Sequence, residues 1–407
     1  MDFSSENPIN QDSSPDQVSA FISSLPLPPS DNQILQNLSP SYSKLLLLGG
    51  LGFIGKNFYE YILSKNLFNS IIIIDKSLPE ISHITPGKLP LYLKNTKTKI
   101  IQIDLCNEKH LRKVFNENPD IDVIVNLAAE TRLSLSEEDY YNRCYKLPVL
   151  CGRLAAEFNI KKFIQMSCCK IYKSAPSSGK IKENYDIEPW DIRYININEA
   201  EKELKKIQGL NLIILRAAGV YGPYDFNGEM ILRISGALIY KALGEKMKVM
   251  WDGGLKANTI NVYDVCRAII YAIVKCQKGD LFNLVDDNDS DQNKIHQILK
   301  EIFKINIECV GSIRSYLMRF NVDHVIQIIN EKHLQIWFEL CAKFNMMNSP
   351  VNVVVYRENL TNNVLCIDGE AFKMKTGFKY MIPRLDTKYF KALVQDYITY
   401  GCLPPIV

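Results

Sequence analysis

Six short runs along residues 44–217 are apolar nearly throughout and do not alternate with polar positions. They are KLLLL (44–48), SIIIID (70–75), KIIQID (99–104), DVIVNLA (122–128), KFIQMS (162–167) and NLIILR (211–216). Strands that are apolar on both faces belong inside a parallel sheet, since a sheet wetted on one side would alternate. Between the runs lie stretches of helical period: IGKNFYEYILSK (54–65), NEKHLRKVFNE (107–117), VLCGRLAAEF (149–158) and INEAEKELKKI (197–207). This alternation predicts an α/β fold, a doubly wound parallel sheet with helices on both faces. Later, ANTINVYDVCRAIIYAIVKC (257–276) reads as a strand running into a helix and GDLFNLVDD (279–287) as a further strand. Residues 310–365, with DHVIQIINEKHLQIWFELCAKF (323–344), read as mainly helical.

Residues 1–43 have a different texture. They are rich in Ser, Pro, Asn and Asp, with SSLPLPPSDN at 23–32, and predict a disordered leader. Its apolar patches, VSAFISSL (18–25) and ILQNL (34–38), are short enough to dock on the body. The predicted organisation is therefore a leader at 1–43, a nucleotide-binding domain at 44–225 whose sheet is completed by later segments, and a smaller, mainly helical lobe at 226–407 carrying a helical insertion at 310–365.

The nucleotide prediction rests on KLLLLGGLGFIGKNF. Gly49, Gly52 and Gly55 follow a strand and open a helix, in a G-x-x-G-x-x-G pattern. The first glycine allows a tight turn, the second lets backbone approach a pyrophosphate, and the third lets helix and strand pack closely. Gly50, Phe53 and Ile54 complete the loop, and the helix N-terminus offers free N–H groups to the phosphates. Asp75 ends the second strand, twenty residues beyond Gly55. A carboxylate there accepts both ribose hydroxyls and repels a 2′-phosphate, favouring NAD over NADP, although Lys76 follows directly.

GGLGFIG, Asp75, IDL (103–105), VNLAAE (125–130) and LRAAGVYGP (215–223) together resemble the extended short-chain dehydrogenases/reductases, the NAD-dependent epimerase/dehydratase family. The likeness spans roughly 44–287 and resumes at GFKYMIPRLDTKYFKALVQDY (377–397), similar to the closing strand and helix of such enzymes. It implies a Rossmann-type fold, NAD as cofactor, Asp104 and Leu105 at the adenine, and Asn126, Leu127, Ala128 and Ala129 beside the nicotinamide ribose.

The same resemblance implies a Ser or Thr after the fifth strand and a Tyr-x-x-x-Lys on the next helix. The tyrosine moves a proton, and the lysine binds the ribose and lowers the phenol pKa. Here Cys168, preceded by Ser167, stands at the first position, Tyr194 at the tyrosine and Asn198 at the lysine. A slip in the loop 173–189 would bring Tyr185 or Tyr172 to the nicotinamide instead. Gly219 and Ala257 replace an Asn and an Arg that hold the nucleotide of a nucleotide-sugar substrate, which argues against a UDP- or dTDP-sugar, with Lys256 adjacent as a substitute. The RAAGVYGP segment is similar to the steroid- and lipid-oxidising branch by analogy alone.

Composition narrows the rest. The 407 residues carry a net charge of +3, too small to imply nucleic acid or a membrane surface. No apolar run is long enough to span a bilayer. The 11 cysteines form no C-x-x-C and fit reduced thiols in the cytoplasm. Five scattered histidines and an acidic loop at 286–291 without an EF-hand glycine predict no metal. Expected partners are a small-molecule substrate or a protein, with a homodimer as a candidate assembly. Two readings stay open: a cofactor-binding or cofactor-sensing module with a degraded relay, or an active oxidoreductase or epimerase on a substrate other than a nucleotide sugar.

Overall fold

The computed structural model describes residues 16–38, 41–176 and 179–406. The solidly apolar runs become β1 (Lys44–Leu48), β2 (Ser70–Asp75), β3 (Thr98–Gln102), β4 (Val123–Asn126), β5 (Lys162–Cys168) and β6 (Leu212–Ala217). After β7 (Gly219–Tyr221), β8 (Met247–Val249) and β9 (Thr259–Asn261) comes β10 (Leu281–Leu284), which joins the first six. The result is a seven-stranded sheet, order β10-β6-β5-β4-β1-β2-β3, with every neighbouring pair parallel. Two small parallel pairs, β7 with β9 and β8 with β11 (Ile307–Cys309), lie outside it.

Successive strand residues face opposite layers. Leu45, Leu47, Ile71 and Ile73 pack with the apolar stripes of α3 (Phe53–Ser64) and α10 (Val262–Lys275). Leu46, Leu48, Ile72 and Ile74 pack with α5 (Glu108–Glu117), α7 (Leu147–Glu157) and α8 (Ile192–Lys206). Both faces being covered explains why the strands are apolar throughout. Between these elements lie the short α4 (Leu89–Leu93) and α6 (Glu137–Tyr140), the latter running into a π-helical turn, Tyr141–Lys146. A second core belongs to α9 (Glu229–Leu243), α11 (Gln292–Phe303), α13 (Val322–Lys343) and α15 (Thr387–Thr399), with Trp337 and Tyr389 buried in it. The chain leaves β1 towards β2 on one side and reaches β4 on the other, so a crevice opens above the strands' C-terminal ends, where α/β sheets bind ligands.

Three expectations need correction. The leader is ordered from Asp16, with α1 (Gln17–Ser24) and α2 (Pro29–Leu38) docked on the body; residues 1–15 lie outside the described residues. The Asp396 carboxylate accepts the N–H groups of Gln17 and Val18 at 2.8 Å each, capping α1. Buried Asp31 on α2 meets fully buried Arg267, which donates to it at 2.8 and 2.7 Å. Composition could not show this, because the partners are 236 residues apart. In the insertion, α12 (Ser312–Met318) and α13 are helical, but 344–356 is not. The valine-rich run VNVVV (351–355) forms neither helix nor strand, and Val355 exchanges two 2.8 Å hydrogen bonds with Asn330 on α13. Finally, after α14 (Glu370–Thr376) no strand forms at 377–386. The Met381 and Ile382 amides donate to the Asp264 carboxylate at 2.9 and 2.8 Å rather than to a sheet.

The Asp31–Arg267 pair gives a direct test of the docked leader. Removing one partner of a buried ion pair leaves a charge unpaired and costs about 3 kcal/mol or more; Arg267 keeps Asp264 (Oδ1 2.5 Å from Nη1), so the lower figure applies. Asp31→Ala should lower denaturant-measured stability by about that amount and raise hydrogen exchange across 29–38, whereas an exposed neighbour, Asn32→Ala, should do neither.

Candidate functional site

A cavity of about 580 Å³ lies above the sheet's crevice and is lined by the glycine loop, the ends of β2 to β6 and the segments beyond them. Gly49 makes its entry possible. Its φ is +74°, and a Cβ there would lie 2.7 Å from Ala128 backbone atoms. A Cβ on Gly55 would meet the Gly49 carbonyl oxygen at 2.2 Å, so α3 can pack against the turn only if that residue is glycine. Gly52 is the N-cap of α3 and offers no capping side chain, which leaves the first-turn amides open to a ligand. A Cβ on Gly52 would meet only the Gly49 carbonyl oxygen, at 3.3 Å.

Of the residues expected here, Gly49, Gly52, Phe53, Ile54, Gly55, Asp75, Lys76, Asp104, Leu105, Leu127, Ala128 and Ala129 line the cavity. Gly50 and Asn126 do not. Gly50 packs towards Ile73 and Leu47 under the loop. Asn126 is fully buried, donates to Gln165 Oε1 at 2.8 Å and accepts the Ala128 N–H at 3.1 Å, so it ties β4 to β5 and fixes the turn. Asp75 accepts the Leu51 and Ser77 amides at 3.0 Å each, which holds its carboxylate at the loop. Asp104 accepts the Cys106 N–H at 2.9 Å.

Apart from Lys76, sequence reasoning missed a charge cluster beyond the ends of β2 and β4. Buried Glu130 accepts three Arg132 hydrogen bonds, from the backbone amide at 3.1 Å and the guanidinium at 3.0 and 2.8 Å, with Lys76 at 3.6 Å and Arg143 at 3.8 Å. Burial opposes its ionisation, but Arg132 and Lys76 hold its carboxyl at about 2. Three cations thus share one carboxylate at the wall, leaving positive charge for a phosphate.

The chemistry half departs further from expectation. Tyr194 and Cys168 line the cavity, whereas Asn198, Tyr185 and Tyr172 do not. Tyr172 is buried between Arg216 (2.7 Å) and Asn283 (2.8 Å). Asn198 is buried on α8 with only a 3.5 Å contact to Glu199, so its short side chain brings nothing to the cavity. Ser167 donates to Glu201, which also accepts from the Arg216 guanidinium; that hydroxyl is committed to a buried network. Burial pushes the Cys168 thiol up despite Lys170 close by. Burial also pushes the Tyr194 phenol above its ordinary value, against the pull of Lys170 and Arg193.

Two cations that sequence reasoning overlooked surround Tyr194. Arg193 donates to its hydroxyl at 2.7 Å and to the Thr131 carbonyl at 2.8 Å, its guanidinium 4.4 Å from the ring centre. Lys170, two residues past Cys168, lies 6.0 Å from that ring centre and pairs with Glu229 across the cavity wall. Burial disfavours its charge, yet Glu229 holds it above its usual range. The signal was the lysine in SCCKIYK, at the mouth of the strand where a small polar residue was sought.

The fold and this geometry agree with what known proteins resemble. The model of the NAD dependent epimerase/dehydratase family matches residues 45–285, and the chain belongs to that family. An uncharacterized protein, PB2B2.11, of Schizosaccharomyces pombe is 23% identical over 297 residues, 63% of this chain and 80% of that one. The dTDP-D-glucose 4,6-dehydratase of Dictyostelium discoideum is 24% identical over 289 residues, 65% of this chain and 62% of that one. Among solved structures, the NAD complex of dTDP-glucose 4,6-dehydratase from Bacillus anthracis superposes with a TM-score of 0.64 at 19% identity, covering 88% of this chain and 96% of that one. The UDP-glucose 4-epimerase of Thermus thermophilus, also with NAD, gives 0.62 at 14% identity, covering 87% and 99%. The family's cofactor is NAD, and the open α3 amides, the Cβ-free cradle at Gly52 and the carboxylate of Asp75 fit it.

Two outcomes follow for the loop. Gly52→Val places its side chain in the cradle while demanding only a small shift of the Gly49 carbonyl, so it should remain folded and lose NADH binding in a fluorescence titration; unchanged affinity would remove the loop from the cofactor site. NADP should bind about an order of magnitude more weakly than NAD in parallel titrations, and Asp75→Ala should narrow that gap.

Proposed function

We propose that the chain is an NAD(H)-binding member of its family whose proton relay has been dismantled, and that it serves as a cofactor-binding or cofactor-sensing module. The observation that carries this reading is position 198, where asparagine leaves the cavity without the ribose-binding cation. A phenol near pKa 10 is a poor base at neutral pH, and burial without that cation weakens it further. The neighbouring positions support the same reading, because Cys168 presents an unactivated thiol and Ser167 is held by Glu201. When bound, NAD supplies hydride chemistry. The chain's residues hold its pyrophosphate at Phe53 and Ile54, its adenosine ribose at Asp75 and its adenine near Asp104 and Leu105. A cytoplasmic location is part of the proposal, supported by 11 free cysteines, as is a homodimer.

The second reading is an active NAD-dependent oxidoreductase or epimerase, and one observation favours it. Arg193 donates to the Tyr194 hydroxyl and leaves the phenol's own proton free to be given away. A guanidinium moves no proton, but it stabilises the phenolate that such a transfer leaves.

Restoring the relay separates the two. Asn198→Lys combined with Cys168→Ser should lower the Tyr194 pKa, read by ultraviolet difference titration of the NAD-bound protein against the same variant carrying Tyr194→Phe. It should also raise any NAD-dependent alcohol oxidation by about 10²–10⁴-fold, the usual worth of acid–base catalysis. Wild-type turnover that Tyr194→Phe abolishes would replace the module reading with the enzyme reading.

A further inference from the structure

The two halves of the cavity differ in charge. Around the glycine loop, four lining cations (Lys56, Lys76, Arg132 and Arg143) face three carboxylates, as a bound pyrophosphate requires. Beyond β5 the balance reverses. Arg216 neutralises Glu201 from behind the wall, Lys170 pairs with Glu229, and Arg193 lies 3.2 Å from Asp191. Two further lining carboxylates have no such cation: Asp225 and Glu358.

Each holds an unsatisfied buried acceptor. Asp225 is 5% exposed; its Oδ1 accepts the Gly228 N–H at 2.7 Å, while Oδ2 has no hydrogen-bond partner among the described residues. Glu358 Oε2 is likewise buried and unpartnered. Glu358 reaches the cavity on the short 3₁₀ turn Arg357–Leu360, which Trp251 fixes by donating its indole N–H to the Leu360 carbonyl at 3.0 Å. Basic groups that would welcome a nucleotide are occupied elsewhere. Lys256 bonds Asp289 at 2.6 Å, and Arg233 bonds Gln292 at 3.2 Å; neither lines the cavity. A buried acceptor without a donor is costly, and the cost vanishes when a ligand supplies the donor.

We propose that this half of the cavity binds an uncharged or cationic, hydrogen-bond-donating ligand of the amine or amino-sugar class through Asp225 and Glu358, and rejects nucleoside-diphosphate sugars. The proposal rests on the NAD(H) reading of the other half. Burial pushes the Asp225 carboxyl up to about 7 even with the Gly228 amide bonded to it, and an incoming ammonium relieves that cost. A diphosphate would instead meet two unpaired carboxylates, because Lys170 and Arg193 on the same wall are already engaged by Glu229 and Asp191. Charged lining of this kind also suits a lipid or steroid poorly.

The test is calorimetry on the full chain, titrated first with NADH so that loss of cofactor binding registers separately from the sugar response. D-glucosamine and UDP-glucose are then added to the NADH-saturated protein. Glucosamine should bind, with affinity falling as salt rises and dropping about tenfold or more in Glu358→Gln, as loss of a charge-assisted hydrogen bond implies. Asp225→Asn should act in the same direction, and because Asp225 also braces the Gly228 turn, Glu358→Gln on its external segment is the decisive variant. UDP-glucose should give no heat at millimolar concentration, and Glu358→Lys should permit it. Binding of UDP-glucose by the wild type, silence towards glucosamine, or glucosamine affinity unmoved in Glu358→Gln would each overturn the proposal.

Discussion

The close approach of two backbones at Gly49 sets the rest of the site. With a left-handed φ and no Cβ, the chain leaving β1 turns within contact distance of Ala128 at the end of β4, and α3 starts where the two strands part. Any side chain at Gly49 or Gly55 would force the loop off that seat. The turn aims the positive end of α3 into the crevice, and Asp75 holds the loop from the other side through the Leu51 amide. β2 and β4 flank β1 in register and bring Asp75, Leu127, Ala128 and Ala129 to the same cavity.

The cofactor half keeps its glycines, its ribose carboxylate and a surplus of cations. On the other side Asn198 brings no cation to the cavity and the Ser167 hydroxyl is bonded to Glu201, while Lys170 and Arg193 stand beside Tyr194 and Asp225 and Glu358 line the same cavity. A cation one helical turn from Tyr194 would depress its pKa and bind ribose together. Arg193 and Lys170 surround the phenol without replacing that geometry, since Arg193 is fixed to Thr131 and Lys170 to Glu229.

Much of the sheet could be read in advance because strands covered on both faces are apolar throughout and short, as KLLLL and SIIIID are. The glycine loop was legible for a similar reason, since each glycine answers a steric demand. Long-range pairings left no trace. The order in the leader depends on Asp31 finding Arg267 on α10 and on Asp396 capping α1, and neither partner lies near in sequence. The strand expected at 377–386 fails because its amides find Asp264 instead of a ladder. At the site, the residues set by backbone geometry were foreseen, while Lys170, Glu130 and Glu358 were not, because their importance comes from what faces them across the cavity. Asn126 shows the reverse: expected at the ligand, it is fully buried outside the cavity lining and bonded to Gln165 and Ala128.

The central claim is that the cofactor is held while the cation at its nicotinamide ribose is gone. A crystal structure of the NAD complex tests it most directly. The pyrophosphate should lie within hydrogen-bond distance of the Phe53 and Ile54 amides, the adenosine ribose on Asp75, and no lysine or arginine nitrogen should bond the nicotinamide ribose hydroxyls. A nicotinamide ribose bound by the Lys170 or Arg193 nitrogens, with the Tyr194 hydroxyl in reach of the same sugar, would contradict it and show a relay rebuilt from new residues.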